Sequence, residues 1–189
     1  MPNVDGPTNF VAVKVLAGTA QVGDTTLTST TPPTFVSGTA ALGLIVRKQS
    51  GANMVAVAEG LREELDEMKP LLEKFELPYR IDVASAHRMP AKLHRVVKAA
   101  EKEGVEVFVA GAGMAAHLPG VVASLTGKPV IGIPIASGPM AGVDALLSTV
   151  QMPPGVPVAT VGVDGAKNAA FLAARIVALT HPEVRERLA

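Results

Sequence analysis

The pattern of apolar and polar positions changes near residue 43. Residues 1–42 are rich in Thr, Gly and Pro, and we interpret them as an N-terminal extension. Within it, Phe10–Leu16 and Thr25–Thr30 fit β-strands around a Gly23-Asp24 turn, or equally a loose arm. From residue 43, apolar runs of strand length alternate with helical periodicity. The sequence therefore predicts an α/β domain over residues 43–180, followed by a C-terminal tail over residues 181–189.

The first unit of this domain contains two apolar runs of strand length, Leu44–Val46 and Met54–Ala58. We favour the second run as the first strand of the sheet. Apolar residues then recur at helical spacing from Leu61 to Phe75, with acidic residues between them. Pro70 falls inside this pattern, and a proline in a helix interior costs about 3 kcal/mol, so we expect a kink or a restart there.

The later units have a clearer pattern. Apolar runs predict strands, and amphipathic or Ala-rich segments predict helices. The predicted strands are Arg80–Ala84, Val105–Ala110, Pro129–Pro134 and Val158–Val163, and the helices are the segment after Pro90, Ala115–Thr126, Val143–Val150 and Ala166–Thr180. Alternating units with nearly continuous apolar strands indicate a parallel sheet covered on both faces. With right-handed crossovers this is a three-layer, doubly wound α/β fold.

Composition and charge remove several classes of function. Lys plus Arg equals Asp plus Glu at 17 each, so no overall field attracts nucleic acid or an anionic membrane. The chain has no cysteine, which excludes disulfides and thiolate chemistry, and no apolar run reaches the roughly 20 residues of a membrane span. We expect a cytoplasmic protein, and its mean hydropathy of +0.34 leaves apolar surface that an oligomer could bury.

The first candidate for chemistry is the segment Ser85-Ala-His-Arg-Met-Pro90, between a predicted strand and a predicted helix. Loops at the carboxyl ends of parallel strands border the ligand crevice of this fold class. His87 can exchange a proton near neutral pH, and the Arg88 guanidinium suits phosphate. The alternative is that Ser85 only caps, Arg88 is solvated and His87 is an ordinary loop histidine.

The second candidate is the glycine-rich segment from Ala110 to Gly120, which follows the next strand and contains His117. Its small residues would let the backbone approach a ligand, although glycine is also the ordinary residue of a tight turn. A structural role for His117 is the alternative. Two further segments lie at the same predicted edge, residues 135–144 and the start of the last helix, where Asn168 fits a helix cap.

Five motifs together resemble one protein family. They are Ser-Ala-His-Arg-x-Pro from Ser85, Ala-Gly-Ala-Gly-x-Ala-Ala-His-Leu-Pro-Gly from Ala110, Pro-Val-Ile-Gly-Ile-Pro from Pro129, Leu-Leu-Ser-x-Val-Gln-Met-Pro from Leu146 and Asn-Ala-Ala from Asn168. The family is the class I N5-carboxyaminoimidazole ribonucleotide mutase of de novo purine biosynthesis, and the resemblance extends over about Leu77–Leu179.

The resemblance implies a flavodoxin-like fold, assembly as a homo-octamer, and transfer of a carboxyl group through CO2 to C4 of the imidazole ring. It implies no metal, biotin or ATP. It assigns proton transfer to His87 and contact with the ribonucleotide substrate to a set of neighbours, with the phosphate held by Ser85 and Arg88. The full set of substrate contacts is Ser85, Ala86, Arg88, Ala112, Gly113, Ala115, His117 and Leu118.

The chain departs from the family where a Gly-Ser-x-Ser-Asp loop should follow the first strand. Aligning that loop with Gly60–Glu64 keeps Gly60, places Leu61 at a serine and leaves Glu64 as the carboxylate, which makes these three residues further predicted substrate contacts. Met114 also replaces a glycine common in the family's second loop. Two alternatives follow: the class II carboxylase, which uses free CO2, and a non-catalytic subunit that keeps the fold and the octamer.

Overall fold

The computed structural model of the chain describes residues 18–22, 25–29, 41–46 and 54–189. Within these ranges the strands are β1 (Gly18–Val22), β2 (Thr25–Ser29), β3 (Ala41–Val46), β4 (Tyr79–Val83), β5 (Val105–Gly113), β6 (Val130–Ile135) and β7 (Ala159–Thr160). The helices are α1 (Met54–Lys74), α2 (Pro90–Lys102), α3 (Leu118–Leu125), α4 (Val143–Val150), α5 (Ala166–Val177) and α6 (Pro182–Leu188).

Strands β3 to β7 form one parallel sheet in the order β4-β3-β5-β6-β7. Counted from β3, this is the flavodoxin-like order 2-1-3-4-5. The order reverses between β3 and β5, and ligands of such folds bind outside the carboxyl ends of the strands at this switch point. The predicted doubly wound α/β fold is confirmed.

The sheet is covered on both faces by apolar side chains. One core includes buried residues of α1 and α5 together with Val107 and Val109 of β5. The other includes α2, α3 and the intervening β5 residues Phe108 and Ala110. This alternation along β5 follows from the two-residue period of a strand, and it explains why the strand is apolar on both sides.

The prediction of the first strand is wrong. Met54–Ala58 begins α1, and the central strand is β3, which contains the other apolar run. Gly60 is the one turn-prone residue between residues 54–58 and the helical pattern that follows, and it lies inside α1, so the two continue as one helix. Ala41–Val46, by contrast, is a short uninterrupted apolar segment of the kind found in buried parallel strands. Helix α1 also continues through Pro70 without the expected restart.

The remaining elements agree with the predicted ones except at their ends. Strand β5 runs three residues beyond Ala110, α3 begins at Leu118, and β7 keeps only two residues. Residues 182–188, interpreted as part of a tail, form α6, whose Val184 is buried in the core.

The N-terminal residues that the structure describes include a β-hairpin. Strand β2 agrees with the predicted Thr25–Thr30 strand, and it pairs antiparallel with β1. The other predicted strand, Phe10–Leu16, lies outside the described residues. Among the helices of the described ranges, none has the length and apolar character needed to cross a membrane.

Candidate functional site

The two histidines of the candidate motifs are in direct contact. His87 Nε2 lies 2.7 Å from His117 Nδ1, and the two rings meet edge to face with their centroids 4.8 Å apart. One nitrogen of this pair must donate a proton and the other must accept it. Both side chains are exposed at the carboxyl edge of the sheet. The pair can therefore carry a proton at a place that a ligand can reach.

His87 is placed by the short segment between β4 and α2. The Ser85 hydroxyl, only 1% exposed, accepts a hydrogen bond from the backbone N–H of Arg88 at 3.2 Å. The Ser85 carbonyl accepts another from the N–H of Met89 at 3.0 Å. Pro90 then starts α2, a position where a missing N–H costs nothing. These bonds form a tight turn that leaves His87 and Arg88 on the outside.

His117 is placed by the end of β5 and the start of α3. The strand continues through Ala112 and Gly113, which pair with Pro134 and Ile135 of β6. Met114 then takes a left-handed conformation with φ of 54°, and His117 becomes the N-cap residue of α3. Glycine adopts that conformation at no steric cost, whereas a residue with a Cβ such as Met114 does not.

The other predicted substrate contacts around the histidine pair include both buried and exposed residues. Ala86, Ala112 and Leu118 are buried among the side chains of the α2 and α3 core. Arg88 and Ala115 are exposed. Asn168 does not cap α5, whose N-cap is Gly165.

The structure contradicts the alignment of Gly60–Glu64 with a phosphate loop. Gly60, Leu61 and Glu64 all lie inside α1, because the whole segment continues the helical pattern. Glu64 is 7% exposed, and its Oε2 accepts a hydrogen bond from the backbone N–H of Ala166 at 2.8 Å. The Glu64 carboxylate thus accepts a hydrogen bond from the first residue of α5 and caps the N-terminus of that helix. Burial raises the pKa of Glu64, and the nearby Asp164 adds to this, while the Ala166 hydrogen bond opposes it.

Sequence reasoning missed the residues that support the second loop from behind. Asp164 Oδ1 accepts a hydrogen bond from the backbone N–H of Ala136 at 2.9 Å, and Ser137 packs against Gly113. The only available signal was the density of Gly and Pro in residues 135–144. Among the described residues, no three His, Cys, Asp or Glu side chains come together as a metal site.

Comparison of the sequence with known protein families identifies the family of this chain. The family model described as AIR carboxylase matches residues 53–189, which include both histidine loops. The chain belongs to the AIR carboxylase family. This match begins at α1, so the central strand β3 lies outside it.

Similar family members have related names. The N5-carboxyaminoimidazole ribonucleotide mutase of Pyrococcus abyssi is 54% identical over 141 residues, which are 73% of this chain and 81% of that protein. The mutase of Saccharolobus solfataricus is 51% identical over 137 residues, 71% of this chain and 87% of that one. The crystal structure of Treponema denticola PurE aligns with a TM-score of 0.64 at 27% identity, covering 78% of this chain and 87% of that one.

Proposed function

We propose that this chain converts N5-carboxyaminoimidazole ribonucleotide into 4-carboxy-5-aminoimidazole ribonucleotide, a step of de novo purine biosynthesis. The observation that carries the proposal is the hydrogen bond between His87 and His117, because it joins two family motifs at the edge of the sheet where ligands bind. The names of relatives that are about half identical to the chain support the same reaction.

In the proposed reaction the bond between N5 and the carboxyl carbon breaks, and CO2 is released within the site. The nitrogen takes a proton from the protonated imidazole of His87. C4 of the ring then attacks CO2, and the neutral imidazole removes the proton that C4 loses. The proton therefore returns to His87, and the reaction is a net isomerisation. An imidazole suits both steps because its ordinary pKa lies near neutrality.

His117 supports this exchange as the partner of His87. The bond at 2.7 Å fixes the orientation of the His87 ring, and it lets the second imidazole take up or return a proton. Arg88 holds the substrate phosphate through its fork of N–H donors. Ser85 assists, because its hydroxyl fixes the Arg88 backbone and keeps its own proton for donation.

A turnover assay tests the proposal. Purified protein is mixed with N5-carboxyaminoimidazole ribonucleotide, without ATP and with a chelator, and the carbon-carboxylated product is followed by its ultraviolet absorbance. We expect conversion by the native chain and its loss in His87→Asn, which keeps a polar side chain but cannot exchange a proton near neutral pH.

Two further arms separate the alternatives. Conversion of the uncarboxylated ribonucleotide with CO2, but not of the N5-carboxylated one, would identify a class II carboxylase. If neither substrate reacts, a substrate-dependent rise in melting temperature would identify a binding subunit without catalysis, because ligand bound to the native state stabilises it.

We also propose that the chain acts in the cytoplasm as a homo-octamer, as the resemblance implies. Exposed apolar side chains of α4 support association: Val143, Leu147 and Val150 recur at helical spacing beside Met140, which precedes the helix. Light scattering on the purified protein measures the oligomeric mass, and a monomer at assay concentration would contradict the assembly.

A further inference from the structure

The loop that carries His117 is supported by residues 136–138, a segment between β6 and α4. Ser137 lies against the last residue of β5. A Cβ built on Gly113 would fall 1.8 Å from the Ser137 Oγ, 2.9 Å from the Ser137 Cβ and 3.2 Å from the Ile135 carbonyl oxygen. Real Cβ atoms do not approach other atoms so closely. Gly113 is therefore the residue type that lets Ser137 occupy this position.

A second contact lies one residue further along both segments. A Cβ built on Gly138 would fall 3.2 Å from the Met114 Cγ, so the Met114 side chain lies over the Gly138 backbone. Met114 is also the residue held in the left-handed conformation. Ser137 and Gly138 thus contact the two successive residues at which β5 turns toward His117.

The supporting segment is itself held from its other side. The backbone N–H of Ala136 donates to Asp164 Oδ1 at 2.9 Å, and the Asp164 N–H donates to the Pro134 carbonyl at 2.9 Å. These bonds tie the end of β6 to the segment between β7 and α5. A shift of residues 136–138 away from Gly113 would disturb the bond between Ala136 and Asp164.

The Ser137 hydroxyl makes only a weak hydrogen bond as a donor. It is 5% exposed, and its bond to the Ile135 carbonyl is 3.5 Å long, beyond the usual range for an O–H donor. A buried hydroxyl with so weak a bond calls for another explanation. Its close packing on Gly113 provides one.

We propose that Ser137 is a positioning residue for the reaction: by packing on Gly113 it fixes the turn at Met114 and thereby the distance between His117 and His87. This inference rests on the proposed function for its kinetic consequence. Its structural consequence, the His87 to His117 contact, can be measured whether or not the enzyme turns over. A displacement of about 1 Å in such a site can reduce the rate by roughly a hundredfold.

The test uses Gly113→Ala, Ser137→Ala, Ser137→Gly and the double variant Gly113→Ala/Ser137→Gly. Gly127→Ala is the matched control, because a Cβ there meets nothing within 4 Å. NMR signals of the His87 and His117 rings report the contact directly. The pH profile of kcat, with kcat and KM determined separately, reports its effect on proton transfer.

We expect Gly113→Ala to shift the His117 signals and to lower kcat by roughly tenfold to a hundredfold, with a smaller change in KM. Removing the Ser137 side chain should restore much of this loss, because the space it leaves accepts the new methyl group. Ser137→Ala should give a smaller effect of the same kind, because it removes the Oγ that packs on Gly113 and keeps the Cβ. It should fold, since the hydrogen bond that it loses is long. Gly127→Ala should match the native chain.

Unchanged histidine signals in both Gly113→Ala and Ser137→Ala would overturn the proposal, even if activity falls. A loss in Gly113→Ala that the double variant does not recover would also overturn it, because the new methyl group would then be obstructing substrate directly. If Gly113→Ala does not fold, Ser137→Ala and Ser137→Gly decide by the same signals. Absence of turnover in the native chain would count against the proposed function, and the NMR arm would still decide the positioning role.

Discussion

Strand β5 leads to a histidine contact at each of its ends, and the two contacts differ in the chemistry of the partner. Near its start, Glu106 Oε1 lies 2.9 Å from His181 Nε2, and Glu183 Oε1 lies 3.1 Å from the other ring nitrogen. Beyond its carboxyl end, His117 faces another imidazole, that of His87. His181 therefore lies between two carboxylates, whereas His117 shares a hydrogen bond with a second histidine.

His181 and His117 differ in the protonation that their partners favour. Partial burial lowers the pKa of His181, but its hydrogen bonds to Glu106 and Glu183 outweigh this and raise it. A charged ring then satisfies both carboxylates and holds the start of α6 to the sheet. Two imidazoles share a hydrogen bond only while one ring nitrogen accepts, so the pair cannot hold a proton on all four nitrogens. The carboxylate partners therefore favour a charged histidine, whereas the imidazole partner leaves room for a proton to be exchanged.

The largest effect is expected at the carboxyl end of β5. His87→Asn should lower kcat by about 10²- to 10⁴-fold, the usual contribution of a general acid–base group. Its free energy of unfolding should change by less than about 0.5 kcal/mol, since the side chain is exposed. Steady-state kinetics and urea unfolding measure the two quantities. A variant that retains full activity would remove His87 from the reaction.

A smaller loss is expected for His117→Asn. This substitution removes one hydrogen bond to a group that is charged during the reaction, worth about 1.5 to 3 kcal/mol, which corresponds to roughly tenfold to a hundredfold in kcat. The pH profile of kcat should change as well, because the proton is no longer shared. An unaltered profile would mean that His117 only fills space beside His87.

At the other end of β5 the effect should be on stability and not on turnover. Because the folded-state pKa of His181 is raised, its stabilisation is fully present below its unfolded-state pKa and is lost as the pH rises through the folded-state value. His181→Gln should therefore lower the free energy of unfolding by about 0.5 to 1 kcal/mol at about pH 5.5, and by much less at about pH 9. Denaturant titration at both pH values measures this. A loss that grows with pH would contradict the assignment.

The smallest effects should come from the carboxylates beside His181. Glu106→Gln should lower the pKa of His181 more than Glu183→Gln does, because the Glu183 side chain is 55% exposed and that of Glu106 is 31% exposed. NMR titration of the His181 ring in each variant gives the order directly. The reverse order would show that Glu183 is the main partner.

Much of the fold was predictable because its later strands are continuous apolar runs. β5 and β6 are buried on both faces, or nearly so, and apart from Glu106, Phe108 and Pro134 they consist of Val, Ile, Ala and Gly. The first strand was not predictable in this way. Two short apolar runs compete there, and what separates them is the helical continuation after Met54, which links that run to Leu65 and Met68.

The site was predictable where it depends on sheet topology. Loops after successive parallel strands meet at one edge, and this rule brought His87 and His117 together without knowledge of their side-chain positions. Packing between loops was not predictable. The contact between Gly113 and Ser137 joins the end of β5 to the segment after β6, and the bond between Glu64 and Ala166 spans 102 positions. The substrate contacts of the two histidine loops stay predictions.

The central place of β3 affects how the chain folds. β4 and β5 both pair with β3 and not with each other, so the first strand of the sheet to be synthesised completes its pairing only when β5 has emerged. Pairings of such long sequence separation slow folding, because the intervening chain must lose its freedom before the contacts form. Until then β3 has an unpaired edge, and a growing chain is most exposed to aggregation in that interval.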